Sequence, residues 1–375
     1  MAGIYIHIPY CKQACTYCNF HFSTQLKTKS DLLNALLKEI ELRKNYLGEE
    51  EISTIYFGGG TPSLLATDEL GQLFDKFERT FKLSNDLEIT LEANPDDLDE
   101  RKLRELKSTP INRLSIGIQS FRDEDLKWMN RAHNSQLADY AVKAAQDKGF
   151  ENITIDLIYG LPGLSNTDWK KNLDTAFKLN VPHISSYSLT VEANTALDVL
   201  IKKGKSKPVD DNKSAEQMII LMQKMKENNF THYEISNFCK ENMFSRHNTS
   251  YWKGEKYLGL GPSAHSYNKE SRQWNVANNI KYITSIAEHK LPFEQEVLTE
   301  KDRYNEYVMT SLRTMWGADS DKVKSSFNEI FHRHFISAGE KFTMENLLIK
   351  KQNTYVLTNE GRLVADRIIL DFFIA

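Results

Sequence analysis

At 375 residues, with 40% hydrophobic and 11% aromatic side chains, the chain can bury more core than one average domain needs, so a large domain plus a smaller one is expected. A net charge of −3 with 26% charged residues gives no basis for nucleic-acid or anionic-membrane partners, and MAGIYIHIPYC has neither a basic leader nor an apolar run long enough to span a bilayer; a cytoplasmic protein is expected. Only four cysteines occur, three of them within eight residues, which argues against a disulfide framework and for a metal site.

In chain order, six short apolar runs rich in β-branched residues read as strands: Gly3 to Ile8, Ser53 to Phe57, Asp86 to Leu91, Arg113 to Ile118, Asn152 to Ile158 and His183 to Leu189. Helical periodicity fills the gaps. After Ser30, a candidate N-cap, Leu32, Leu33, Leu36, Leu37 and Ile40 share a face; after Thr67, Leu70, Leu73, Phe74, Phe77 and Phe81 share another. This alternation predicts an α/β fold of repeated β/α units with a parallel sheet. Beyond Thr195 it stops, KKGKSKPVDDNKS reads as an exposed connection, and a helix is expected around Glu216 to Lys226. From about Thr299 the pattern is three helices, a strand-like run Tyr355 to Thr358 and a closing helix through Ile369 and Phe373, a small winged-helix-like unit without the dense Arg/Lys face of a DNA reader. The expected domains are 1–290 and 291–375.

Cys11, Cys15 and Cys18 give C-x3-C-x2-C in the loop after the first strand. Fe–S clusters usually take four protein thiolates, so three leave one iron open to another ligand. A zinc site completed by His7 or His21 is the alternative. Cys239 stands alone and reads as a buried structural thiol. After the second strand, Gly58, Gly59 and Gly60 with Thr61 let backbone groups approach a ligand closely. Glu92 ends the third strand, Gln119 the fourth, and Asp156 lies on the fifth; Glu92 and Asp156 suit ribose hydroxyls or an ammonium, and Arg131 suits a carboxylate. All lie at the strand ends where β/α barrels build active sites.

Tyr5-Ile6-His7-Ile8-Pro9-Tyr10-Cys11, the cysteine loop, Gly58 to Thr61, Glu92, Gln119, Arg131 and Asp156 to Pro162 together resemble radical S-adenosylmethionine proteins of the oxygen-independent coproporphyrinogen oxidase type, over residues 1 to about 270. The resemblance implies a partial (βα)6 TIM-like barrel holding a [4Fe–4S] cluster on Cys11, Cys15 and Cys18. It places Tyr5, Tyr17, Gly58, Gly59, Gly60, Thr61, Glu92, Gln119, Arg131 and Asp156 at S-adenosylmethionine positions, some of which serve a second such molecule in the oxidase. The oxidase carries another cysteine two residues past the third ligand, where this chain has Phe20, and an N-terminal extension that is expected to be missing here.

Both departures make the chain similar to the HemW group of haem chaperones. So does Arg246-His247-Asn248-Thr249-Ser250-Tyr251-Trp252, which contains that group's H-N-x-x-Y-W pattern. An imidazole can ligate haem iron and flat aromatic rings can stack on a porphyrin, so His247, Tyr251 and Trp252 are the haem candidates, with His265 next; His265 alternatively lies near S-adenosylmethionine. The resemblance implies haem as cargo and a haem-acceptor protein, membrane-associated respiratory proteins being one class, with a homodimer as one assembly. The competing function is a radical reaction on a porphyrin, such as oxidative decarboxylation of coproporphyrinogen III, begun by reductive cleavage of S-adenosylmethionine.

Overall fold

Strands β1 (Ala2–Ile8), β2 (Ile52–Gly59), β3 (Leu83–Ala93), β4 (Arg113–Gln119), β5 (Asn152–Tyr159) and β6 (His183–Ser188) lie side by side, parallel and in sequence order, in the computed structural model, which describes residues 1–374. They match the six predicted runs. Period-two alternation sends Ile4, Ile6 and Ile8 of β1, all fully buried, to one face and Tyr5 and His7 to the other. In register, Tyr5 pairs with Tyr56, and Thr54 with Glu88, so the second face carries a band of aromatic and polar side chains. The intervening helices include Lys29–Leu42 and Thr67–Thr80, whose predicted faces bury Leu32, Leu33, Leu36 and Ile40, and Leu70, Leu73, Phe74 and Phe77.

Three local expectations are corrected. Ser30 is no N-cap: a short 3-10 turn, Leu26–Thr28, carries the chain directly into the helix, which already starts at Lys29. The helix expected at Glu216 runs Asp211–Glu227, because the Asp210 carboxylate accepts from Lys213 N–H and starts it earlier. Residues 231–297 supply six short strands that local pattern did not predict: β7 (Thr231–Glu234), β8 (Asn237–Cys239), β9 (Lys256–Leu260), β10 (His265–Tyr267), β11 (Ser271–Asn275) and β12 (Phe293–Val297). These flank the parallel core in one twelve-stranded sheet of order β12-β11-β10-β9-β1-β2-β3-β4-β5-β6-β8-β7. Only β9 among them continues the parallel sense, against β1. The rest pair antiparallel, and short turns of two to four residues join β7 to β8, β9 to β10 and β10 to β11.

The C-terminal unit packs helices Glu300–Leu312, Ser320–Ser326, Glu329–Met344, Asn359–Leu363 and Ala365–Phe372 on a small sheet of β13 (Ala318–Asp319), β14 (Leu348–Lys351) and β15 (Thr354–Leu357). Its own core includes Tyr304, Phe335, Phe342, Tyr355 and Phe372. We place the division between 297 and 300, not at 290/291, because β12 is hydrogen-bonded to β11 in the large sheet. Met315 N–H donates to Tyr233 O at 2.8 Å and an isolated bridge joins Glu234 to Thr314, tying the two units together. Among the described residues no helix is long and apolar enough to cross a membrane.

Candidate cluster and cofactor site

The cysteine loop leaves β1 at Pro9 and is held at both ends and in the middle. Ser23 N–H donates to Pro9 O at 2.8 Å and Cys11 N–H to Ser23 O at 3.0 Å, closing the loop on itself. At its tip Thr16 N–H donates to Met129 O at 3.1 Å, Asn130 Nδ2 to Ala14 O at 2.7 Å, and Gln13 Nε2 to Asn130 O at 2.9 Å. Gly60 allows the loop to lie against β2: a Cβ there would stand 2.7 Å from the carbonyl oxygens of both Ile8 and Tyr10. Three half-buried thiols therefore open into one cavity of about 360 Å³, which Tyr17, Gly59, Gly60 and Thr61 also line. Burial pushes the Cys11 and Cys18 thiols up, Cys18 to about 11.

The same cavity is lined by Glu92, Gln119, Arg131 and Asp156 from β3, β4, the turn after the short helix Asp123–Trp128, and β5. Glu92 accepts from Tyr56 Oη at 2.8 Å and Gly59 N–H at 3.1 Å, yet burial lifts its carboxyl to about 7. Asp156 is raised to about 6, again by burial. Gln119 has φ 69°, a left-handed backbone that is costly for a non-glycine residue and typical of functional positions. Gly58 lies behind this surface, where a Cβ would meet Tyr5 and Tyr56 at about 3 Å.

Arg131 is hydrogen-bonded within the protein: Nη1 donates to Cys15 Sγ at 3.3 Å, and Nη2 to Asn94 Oδ1 and Gly117 O at 2.6 Å each. Tyr5 lies outside the cysteine-lined cavity; its hydroxyl meets His7 Nδ1 at 3.2 Å and its ring packs on Tyr56 and His247.

The donor set fits a cluster better than a zinc ion. His7 is hydrogen-bonded through Nε2 to His21 O at 2.8 Å and through Nδ1 to Tyr5 Oη at 3.2 Å, and His21 Nε2 to Asn279 Oδ1 at 2.7 Å, whereas the three thiols line one cavity without either imidazole. Cys239 is fully buried on β8, a structural thiol.

A second cavity, about 970 Å³, lies between the edge of the large sheet and the C-terminal unit. Tyr251, Trp252, Tyr257 and Tyr267 face Tyr307, Trp316 and Phe327 across it, with Lys269, Arg272, Arg303 and Lys322 also in its lining. His265 opens into this cavity, not the cysteine-lined one, its ring stacked 6.2 Å from Trp274. His247 does not reach it. That imidazole is 1% exposed, with Nδ1 on Thr54 Oγ1 at 2.8 Å and Nε2 on Tyr251 Oη at 2.8 Å, and burial pushes its pKa down to about 3. Both ring nitrogens of His247 are thus hydrogen-bonded within the protein, one of them to Tyr251, which lines the cavity. Phe20, 64% exposed, lines both cavities.

Sequence reasoning missed Thr54, Tyr56 and Asn130, and most of the second cavity. Nothing local marked Arg303 or Lys322, which reach the cavity only through domain packing.

The radical SAM superfamily model matches residues 5–176. The chain is 36% identical over 372 residues to the haem chaperone HemW of Bacillus subtilis (strain 168), covering 98% of both chains, and 33% identical over 374 residues to that of Mycobacterium tuberculosis (strain CDC 1551 / Oshkosh), covering 98% of this chain and 93% of that one. Among solved structures, coproporphyrinogen III oxidase (HemN) from Escherichia coli superposes with a TM-score of 0.86 at 22% identity, over 99% of this chain and 89% of that one, a likeness of fold. With a cysteine-lined cavity at the strand ends and full-length similarity above 30% identity, this chain belongs to the HemW family of radical S-adenosylmethionine proteins.

Proposed function

We propose that the chain holds a [4Fe–4S] cluster on Cys11, Cys15 and Cys18, binds S-adenosylmethionine in the same cavity, and carries haem in the larger cavity for transfer to an acceptor protein. The observation that carries the haem reading is the second cavity itself: flat aromatic surfaces, several cations and an accessible imidazole, adjoining the cysteine-lined cavity at Phe20. Porphyrin faces call for aromatic surfaces, two propionates call for cations, and iron calls for a nitrogen donor. His265 is the side chain that supplies the last. A cluster held by Cys11, Cys15 and Cys18 would, when bound, supply one-electron chemistry to a cofactor on its open iron. Gly59 and Gly60 provide backbone approach, Thr61 a hydroxyl, and Glu92 and Asp156 acceptors for ribose hydroxyls or the ammonium; Gln119 and Arg131 complete that wall.

The test uses one anaerobically reconstituted sample. It is expected to hold about four irons per chain, to lose them in Cys15→Ala, to bind haem, and to form no protoporphyrinogen from coproporphyrinogen III with S-adenosylmethionine and an electron donor. Catalytic conversion of coproporphyrinogen without haem retention would replace this reading with an oxidase. Stoichiometric zinc without sulfide would remove the cluster.

A further inference from the structure

Among the described residues Arg131 is the cation whose guanidinium reaches a cluster cysteine, and its orientation is set by the protein. Nη2 is gripped by Asn94 Oδ1 and Gly117 O, both at 2.6 Å, which aims Nη1 at Cys15 Sγ, 3.3 Å away. Gly117 makes the room: a Cβ there would stand 3.3 Å from Arg131 Nη2 and 2.9 Å from Gln119 Nε2. The preceding residue, Asn130, clamps the same loop through Ala14 O and Gln13 Nε2. Asn130 adopts φ 57°, so this turn is shaped to present two consecutive side chains to the cysteine loop. The guanidinium nitrogen Nε is buried and has no partner in the chain.

A buried N–H donated from a permanent cation to a ligating sulfur stabilises added negative charge, and hydrogen bonds to cluster sulfurs are among the determinants of reduction potential. We infer that Arg131 is a positioning residue for Cys15 that raises the reduction potential of the cluster, independently of its contact with any cofactor. One electron added to the cluster increases the charge on Cys15 Sγ, and the Nη1–H bond strengthens with it; no proton moves. This inference rests on the cluster reading of the preceding section and not on the haem reading.

The measurement is a redox titration of the reconstituted, cofactor-free cluster, followed by electron paramagnetic resonance, in the full chain and in Arg131→Met and Arg131→Lys. Arg131→Met is expected to keep its iron but to reduce with an equilibrium constant about tenfold less favourable, which is about 59 mV lower for a one-electron couple. Arg131→Lys, which keeps the charge without the fork, should fall between. In unsubstituted protein carrying ¹⁵N-labelled arginine, pulsed resonance of the reduced cluster should show a ¹⁵N coupling without added S-adenosylmethionine. Unchanged potentials with only weakened S-adenosylmethionine binding, or no ¹⁵N coupling, would overturn the inference. Should Arg131→Met assemble no cluster, the labelled unsubstituted protein and Arg131→Lys still decide it. Absence of a cluster in the unsubstituted protein would instead defeat the cluster reading itself.

Discussion

His247 and His265 lie eighteen residues apart and have opposite prospects as ligands. His247 spends both nitrogens on Thr54 and Tyr251 inside the barrel, whereas His265 opens into the aromatic cavity. His265→Ala is therefore expected to shift the haem absorption spectrum and weaken binding without loss of iron from the cluster. His247→Ala should act less on the spectrum, because it only releases Tyr251; a spectrum altered by His247→Ala alone would reverse the assignment. Buried histidines also set an acid limit. His247 has a folded pKa of about 3, below the ordinary 6.5, so between those values the unfolded chain takes up a proton that the folded chain refuses. Its contribution is fully present above pH 6.5 and is lost as pH falls toward 3. His232 at about 3, and His7 and His133 at about 4, act in the same direction. Glu92 and Glu234 at about 7 and Asp156 at about 6 act oppositely, destabilising the fold as pH rises from the ordinary carboxylate range through those values. The histidines outnumber them, so the thermal midpoint of the cluster-free chain should rise gently from pH 4.5 to 6.5. His247→Gln should flatten that rise, by up to about one proton in the linkage slope.

At the scale of elements, two contacts hold the barrel together around the site. Gly60 lets β2 lie under the start of the cysteine loop, and Gly60→Ala would drive a methyl to 2.7 Å from Ile8 O and Tyr10 O. Displacing that backbone should cost ~1–3 kcal/mol and lower the iron content after reconstitution, read by chemical unfolding and iron analysis. Further out, helix Lys29–Leu42 is fastened to β11 and to helix Asn279–Ala287 by a buried ion pair. Arg43 Nε donates to Glu39 Oε1 at 2.9 Å, and its other nitrogens to Gln273 and Asn275 at 2.8 Å. Glu39 also accepts from Gly261 N–H and Tyr282 Oη. Removing Arg43 alone leaves a buried carboxylate, so Arg43→Met should cost ~3–5 kcal/mol, and the double substitution with Glu39→Met less than the sum of the two singles. Strict additivity in urea unfolding would show that the two side chains are not coupled.

Across the whole molecule, the larger cavity exists only because the C-terminal unit packs against the sheet edge. Arg303 and Lys322 come from that unit, Lys269 and His265 from the barrel's extension. A ligand filling the cavity would touch both, so cargo binding and the packing of the two units are expected to be linked. Reversing both cations in Arg303→Glu/Lys322→Glu should weaken haem by about tenfold or more, the worth of one charge-assisted hydrogen bond. Haem dimethyl ester, which has no carboxylates, should bind the two proteins alike. Equal losses for both ligands would mean that the propionates are not read by these cations.

The six parallel strands, the helical faces between them and the three-cysteine loop were legible locally, because strand period, helix period and ligand spacing are each carried within a few consecutive residues. The wall of Glu92, Gln119, Arg131 and Asp156 was legible as residue types at strand ends, since parallel β/α order brings those ends to one rim. Which donor meets which acceptor was not. Arg131 could be matched to a carboxylate by chemistry, but only Asn94, just past β3, and Gly117 of β4 decide that Nη1 faces Cys15. The six short strands after residue 230 depend on partners far along the chain, and the burial of His247 and the exposure of His265 are properties of packing. Local sequence determined the six parallel strands, the helical faces between them and the three-cysteine loop; long-range contacts, which no short window of residues contains, decided the later strands, the cavities and the direction in which each side chain points.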